Sequence, residues 1–314
     1  MWEYRAPVAQ WIRASDFGSE GRGFESLQAR QSLSVPSLST VHCQLSTKMI
    51  TSYHVHSTYS DGLQPLRAYP NAAVEQGIQE LGFSDHFVLM PNDVRMDWSM
   101  PIEFIGQYVC EVEEIAREFE GRVTIRRGIE ADYCPETAES LRGVLESVRL
   151  DYVIGSVHIS NGFFIDNVRD VWDNISQDER DSVILGYWED VRRMAESRMF
   201  DIAGHLDLFK KFGHLPSIDL TSHALAALDA IANAGMAMEM NTSGWYKNIG
   251  EQYPSEFILK EARRRDIPLI ITADAHEPTH LSRAYDRARE LALRVGFTET
   301  VSFRSREMST WPIC

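Results

Sequence analysis

From residue 49 onward the chain alternates short β-branched, apolar runs with longer stretches whose apolar positions recur at helical spacing. This is the pattern of repeated βα units around a parallel sheet. Seven apolar runs predict strands near residues 51–56, 80–85, 123–132, 152–159, 200–206, 237–241 and 268–273. Between them EFIGQYVCEVEEIAREFEG, SHALAALDAIANAG and SEFILKEARRRD predict helices. The first two close on Gly, where a left-handed C-cap is favoured, and Ser222 and Ser255 are the expected N-caps. A doubly wound sheet would alternate in the same way, but seven units with no Gly-rich phosphate loop after the first strand favour closure into a barrel.

Residues 1–48 break the pattern. They are rich in Ser, Gln, Arg and Gly, sustain neither a 3.6 nor a 2 period, and carry no capping signal. They contain no apolar core of a signal peptide, and Asp16, Glu20 and Glu25 oppose a mitochondrial address. The stretch VAQWIRASDFGSEGRGFESLQAR resembles the conceptual translation of a transfer-RNA gene. The expectation is therefore a disordered or spurious extension over 1–48, with Met49 as the true start and one domain over 49–314. Peptides from residues 1–48 in native protein, sought by mass spectrometry, would overturn it.

Composition adds exclusions. No apolar run is long enough to cross a bilayer, and a net charge of −15 opposes a nucleic-acid partner held through its phosphates. Cys43, Cys110, Cys134 and Cys314 form no CxxC pair and no regular spacing, which argues against a disulfide framework or thiolate zinc site and fits a reducing cytoplasm.

The chemistry gathers at strand ends, which in a parallel barrel converge on one mouth. The first strand carries HVHSTYSDG: His54 and His56 at i and i+2 face one side of an extended chain, and Asp61 follows beside Gly62. Successive strands then end in FSDHF (Asp85, His86), GIEADY (Glu130), IGSVH (His158), AGHLD (His205, Asp207), MEMNTSG (Glu239, Asn241) and ITADAH (Asp274, His276). Six of the ten histidines sit at these ends, whereas His42 lies in the extension and His214, His223 and His280 fall in loops or helix starts and are assigned structural roles. One such motif more often marks a buried or ion-paired side chain than a ligand; seven in register point to a multi-metal site. Imidazole with carboxylate and no thiolate selects zinc, manganese or iron over calcium.

The ordered set HVHSTYSDG, SDH, GIE, GSVH, GHLD and ADAH resembles the polymerase and histidinol phosphatase (PHP) family. AGHLDLFKKFG and the tail from ITADAH are similar to its stand-alone phosphatases. The resemblance implies a distorted (β/α)7 barrel with two or three divalent ions. By position, His54, His56, Glu130 and Asp274 would hold one ion, Glu130, His158 and His205 a second, and Asp61, His86 and His276 a third.

Such a set suits phosphate-monoester hydrolysis, because a divalent ion lowers the pKa of bound water from about 15.7 to roughly 7 and neutralises phosphoryl charge. Glu130 is the natural bridge, having two oxygens. Asp207 and Asp85 are candidates either to protonate the leaving alkoxide or to orient His205 and His86. Lys210, Lys211 and Arg283 are candidates to clamp phosphate, against the blander reading of solvated loop cations. The resemblance implies L-histidinol phosphate as the small phosphorylated substrate. A PHP phosphoesterase acting on nucleotides or other phosphomonoesters, and an inactive metal-binding module, stay open at this point. The sequence does not read out an oligomeric state.

Overall fold

The computed structural model describes residues 49–166 and 168–313; the expectation for the extension through residue 48 lies outside the described residues. The strands are β1 (Thr51–Ser52), β2 (Glu80–Phe83), β3 (His86–Phe87), β4 (Thr124–Asp132), β5 (Tyr152–Ser156), the hairpin β6 (Ile159–Ser160) and β7 (Phe163–Phe164), β8 (Ile202–Ala203), β9 (Ala237–Asn241), β10 (Leu269–Thr272), and the hairpin β11 (Glu299–Arg304) and β12 (Glu307–Pro312). The helices are α1 (Tyr69–Glu75), α2 (Ile105–Glu118), α3 (Ala138–Ser147), α4 (Arg169–Asp173), α5 (Gln177–Glu196), α6 (Thr221–Ala234), α7 (Glu256–Arg264) and α8 (Tyr285–Val295).

Seven strands pair in parallel in the order β1-β2-β4-β5-β8-β9-β10, and β3 continues beyond β2 to pair with β4. First and last strand regions meet through Ala275, whose N–H donates to the His54 carbonyl and whose carbonyl accepts from the His56 N–H, both at 2.9 Å. The result is a nearly closed (β/α)7 barrel, as expected.

β1 and β8 are shorter than predicted because side chains take over from the ladder at their C-terminal ends. Ser84 Oγ accepts the Val55 N–H at 3.1 Å, and Glu239 Oε2 accepts the His205 N–H at 2.6 Å. A polar mouth thus replaces regular pairing where the chemistry gathers.

The barrel interior is closed below that mouth by aromatic rings. Tyr53 and Tyr152 stack with centroids 4.8 Å apart, and the Tyr152 hydroxyl donates to the Tyr53 carbonyl at 2.5 Å. Gly128 makes room for the Tyr152 ring, since a Cβ there would lie 2.1 Å from it. Val301 and Phe303 of β11 join Tyr53, Tyr152, Ile154 and Ile270 in this inner cluster, so the terminal hairpin plugs the bottom of the barrel. The larger apolar layer lies between the sheet and its helices.

The helix ends divide on prediction. Gly235 is the left-handed C-cap of α6, at φ 73°, as expected, whereas α2 is capped by Phe119 at φ −101° and Gly121, at φ 78°, turns the chain two residues later. Ser222 does not cap α6: that helix begins at Thr221 after Leu220, and Asp219 accepts the Thr221 N–H at 2.9 Å. Ser255 holds the N-cap position of α7, but its side chain makes no capping bond. Among the described residues no helix is long and apolar enough to cross a membrane.

Candidate metal centre

Glu130 lies at the centre of the mouth, fully buried, with its two oxygens facing different imidazoles. Oε2 is 3.0 Å from His54 Nε2, 2.9 Å from His86 Nδ1 and 3.5 Å from His56 Nε2. Oε1 is 2.8 Å from His205 Nε2 and 3.7 Å from His158 Nε2, and accepts the Ser156 hydroxyl at 2.6 Å. Strand register produces part of this directly, because His86 on β3 pairs with Glu130 on β4.

Asp274 and Asp61 complete the ring. Asp274 Oδ1 lies 3.3 Å from His56 Nε2 and 3.7 Å from His54 Nε2. Its backbone is held at φ 50°, in the left-handed region that Asp tolerates better than most residues. Asp61 reaches His276 Nε2 at 3.3 Å and His86 Nε2 at 3.7 Å. Gly62 sets that reach: its N–H donates to the Ser57 carbonyl at 2.9 Å, and a Cβ would lie 2.3 Å from the His56 carbonyl oxygen.

The donors form four overlapping groups, each with ligand atoms within 4.8 Å of one another: His56, Asp61, His86 and His276; His54, His56 and Asp274; His54, Glu130 and His205; and His86, Glu130 and His158. All nine residues predicted as ligands are brought together. The grouping differs from the expected one: Glu130 is absent from the group of His54, His56 and Asp274, His205 meets Glu130 beside His54 and His158 meets it beside His86, and His56 joins Asp61, His86 and His276. His54, His56, His86 and Glu130 each serve two groups, so the groups compete, and two or three ions fit better than four.

Unpaired donors carry the fit to a cation. His54 Nε2, both nitrogens of His56, His86 Nδ1 and Glu130 Oε2 are buried and make no hydrogen bond, although several lie near 3 Å of each other. Their directions fail as hydrogen bonds, as expected of lone pairs aimed at a shared point. Buried polar atoms left so are costly unless a cation takes them up. Without metal the charges press on one another. Burial opposes a charged His158, but Asp132 and Glu130 outweigh it and raise the imidazole to about 10. Burial likewise opposes a charged His276, and Asp61 and Asp274 raise it to about 9. His56 goes the other way, lowered to about 3 by burial and by the neighbouring His86 and His276. Burial resists ionisation of Glu130, yet His54, His86 and His158 hold it well below the usual carboxylate range.

Two supporting carboxylates stand out. Glu239, read from the sequence only as a strand-end residue, contacts His54 Nδ1 at 2.5 Å and accepts the Thr272 hydroxyl at 2.6 Å. Asp132, two residues beyond Glu130 on β4, was missed: it accepts the His158 N–H at 2.8 Å and lies 2.9 Å from His158 Nδ1. Period-two reading of β4 would have found it, because Glu130 and Asp132 share a face.

Three other expectations are corrected by position. Asp85 bonds neither the reacting space nor His86; it accepts from Ser57 N–H and Oγ and from Ser60 N–H and Oγ at 2.6–3.1 Å, fixing the loop after β1. Asp207 does not orient His205: it accepts the Ser255 N–H at 2.8 Å and pairs with Lys210 at 3.1 Å, and burial pushes its carboxyl up to about 6. Lys210 is buried, bonded to Glu251 at 2.7 Å and the Gln252 carbonyl at 2.9 Å, so it is a structural cation and no phosphate clamp.

A cavity of about 360 Å³ opens over the cluster, lined by His86, His158, His205 and His276. Lys211 and Arg283 line it as expected, with the Arg283 guanidinium 4.4 Å above the Tyr246 ring. Lys247 and Asp166, not foreseen, line it too, as does His280, which the sequence suggested was merely structural. Burial and the nearby Lys211 lower the Lys247 ammonium.

Comparison with known proteins follows the same line. The family model described as PHP domain matches residues 52–243. The chain is 38% identical over 245 residues to a probable histidinol-phosphatase of Deinococcus radiodurans, covering 77% of this chain and 91% of that protein. It is 26% identical to the histidinol-phosphatase of Bacillus subtilis, covering 74% and 96%. A crystal structure of a histidinol phosphate phosphatase from Lactococcus lactis, complexed with zinc, L-histidinol and phosphate, superposes with a TM-score of 0.71 at 23% identity, covering 84% of this chain and all of that one. With barrel, donor set and family model in agreement, the chain belongs to the PHP domain family.

Proposed function

We propose that this chain is a metal-dependent phosphoric monoester hydrolase that cleaves L-histidinol phosphate to L-histidinol and phosphate, an activity of histidine biosynthesis. The observation that carries the reading is the set of unpaired buried donors around Glu130 at the base of a cation-lined cavity. Relatives named histidinol-phosphatase, one of them 38% identical, support the substrate.

His54, His56, His86, His158, His205, His276, Glu130, Asp61 and Asp274 would hold two or three divalent ions, of zinc, manganese or iron. Bound there, the ions would activate water for attack on phosphorus and neutralise the phosphoryl oxygens. The chain's own part is placement. Glu130 presents one oxygen to each side of the cluster, Asp132 and Glu239 fix the ring orientations of His158 and His54, and Lys211, Lys247 and Arg283 supply positive charge to a bound phosphate. The small volume of the cavity, about 360 Å³, and the net charge of −15 favour a small substrate over nucleic acid. We further place the protein in the cytoplasm, where the exposed free thiol of Cys110 stays reduced.

The test is phosphate release from L-histidinol phosphate, AMP and an aryl phosphate by metal-loaded protein. The reading expects kcat/KM highest for L-histidinol phosphate; preference for AMP would transfer the site to another phosphomonoester, and no turnover with any of the three would make the chain an inactive metal-binding module.

A further inference from the structure

We propose that the ion pair between Lys211 and Asp166 is a selectivity gate that favours phosphomonoesters carrying an ammonium group over purely anionic ones; the inference rests on the hydrolase reading above. Among the described residues, the cavity is lined by three carboxylates, and two of them, Asp61 and Asp274, belong to the donor groups. Asp166 belongs to none. It holds Lys211 by side chain and main chain at once, with Nζ 3.1 Å from Oδ2 and 2.6 Å from the Asp166 carbonyl oxygen.

The neighbouring lysine shows by contrast why this pair is exchangeable. Lys210 has a side-chain exposure of 4% and three partners away from the cavity, whereas Lys211 and Asp166 keep 18% and 31% exposure on the cavity wall. A phosphate entering the cavity competes with Asp166 for the Lys211 ammonium. If the substrate is only an anion, opening the pair leaves a partly desolvated carboxylate unpaired and facing new negative charge, which costs binding energy. A substrate with an ammonium a few bonds from its phosphate exchanges partners instead, its phosphate taking Lys211 and its ammonium taking Asp166. Discrimination then comes from a penalty on the wrong ligand as much as from attraction to the right one.

The experiment compares kcat/KM for L-histidinol phosphate with that for 3-(imidazol-4-yl)propyl phosphate, which lacks only the amine, in wild type, Asp166→Asn, Asp166→Glu and Lys211→Gln. Metal content of each protein is measured alongside. The same ratio taken with 2-aminoethyl phosphate against ethyl phosphate keeps the gate testable should the imidazole compound not be the substrate. The expected result is that the amine-to-no-amine ratio falls at least about tenfold in Asp166→Asn, chiefly through KM, and returns in part with Asp166→Glu, whereas Lys211→Gln raises KM for both substrates and keeps the ratio, because Asp166 still receives the ammonium. An unchanged ratio in metal-replete Asp166→Asn overturns the gate while leaving the hydrolase reading intact. A wild type that cleaves ethyl phosphates but neither imidazole compound overturns the histidinol phosphate reading, with the gate still judged on the second pair. No turnover of any of the four compounds overturns both.

Discussion

Asp132 takes both the backbone N–H and the Nδ1 side of His158, which leaves Nε2 free to face Glu130 and a cation. Asp132→Asn is therefore expected to weaken metal binding at His158 about 10- to 100-fold with the fold retained, measured by competition against a chelating dye. Protons compete for the same nitrogens. In the metal-free protein His158 and His276 are raised to about 10 and about 9, above the ordinary imidazole value of 6.5, so each keeps its proton at neutral pH. Folded-state values above unfolded ones contribute stability that is fully present below about pH 6.5 and lost as pH climbs through 9 to 10. The stripped protein should accordingly lose melting temperature across that window, while metal binding tightens over it and releases protons. Calorimetry in buffers of different ionisation enthalpy reads that release, and loading at pH 7 without proton release would contradict it. The donor residues were readable in advance because strand ends converge whatever the loops do. The roles of Asp85, Asp207 and Lys210 were not, since they depend on Ser57, Ser60, Ser255 and Glu251, which meet them only through loop paths remote in sequence.

Elements were readable wherever burial sets a period. All seven barrel strands lie inside their predicted windows, β4 and β9 almost residue for residue. What pattern could not give is where a strand stops being a ladder, because Ser84 and Glu239 side chains replace backbone partners at β1 and β8. Nor did it give the β11–β12 hairpin: every residue of β12 is exposed, so only β11 carries an apolar signal, through Val301 and Phe303. That hairpin closes the barrel at the end remote from the mouth. Phe303 is 3% exposed, and Phe303→Ala is expected to cost about 3 kcal/mol or more of unfolding free energy in denaturant titration, without changing metal stoichiometry. A loss under about 1 kcal/mol would show that the plug is dispensable.

For the molecule as a whole, residues 49–313 carry the complete barrel, all nine donors and the cavity. A chain begun at Met49 is thus expected to match the full-length chain in metal stoichiometry and kcat/KM; a shortfall of more than about tenfold would give the first 48 residues a role. Donors drawn from β1 through the segment after β10 also tie metal binding to barrel closure, so a bound ion stabilises the fold as any ligand of the native state does. The account stands most directly on phosphate release from L-histidinol phosphate by protein first stripped of metal, verified by elemental analysis, and then reloaded with zinc or manganese. It predicts turnover abolished by stripping and restored by reloading in wild type, with no restoration in Glu130→Gln; undiminished turnover by verified metal-free protein would contradict it.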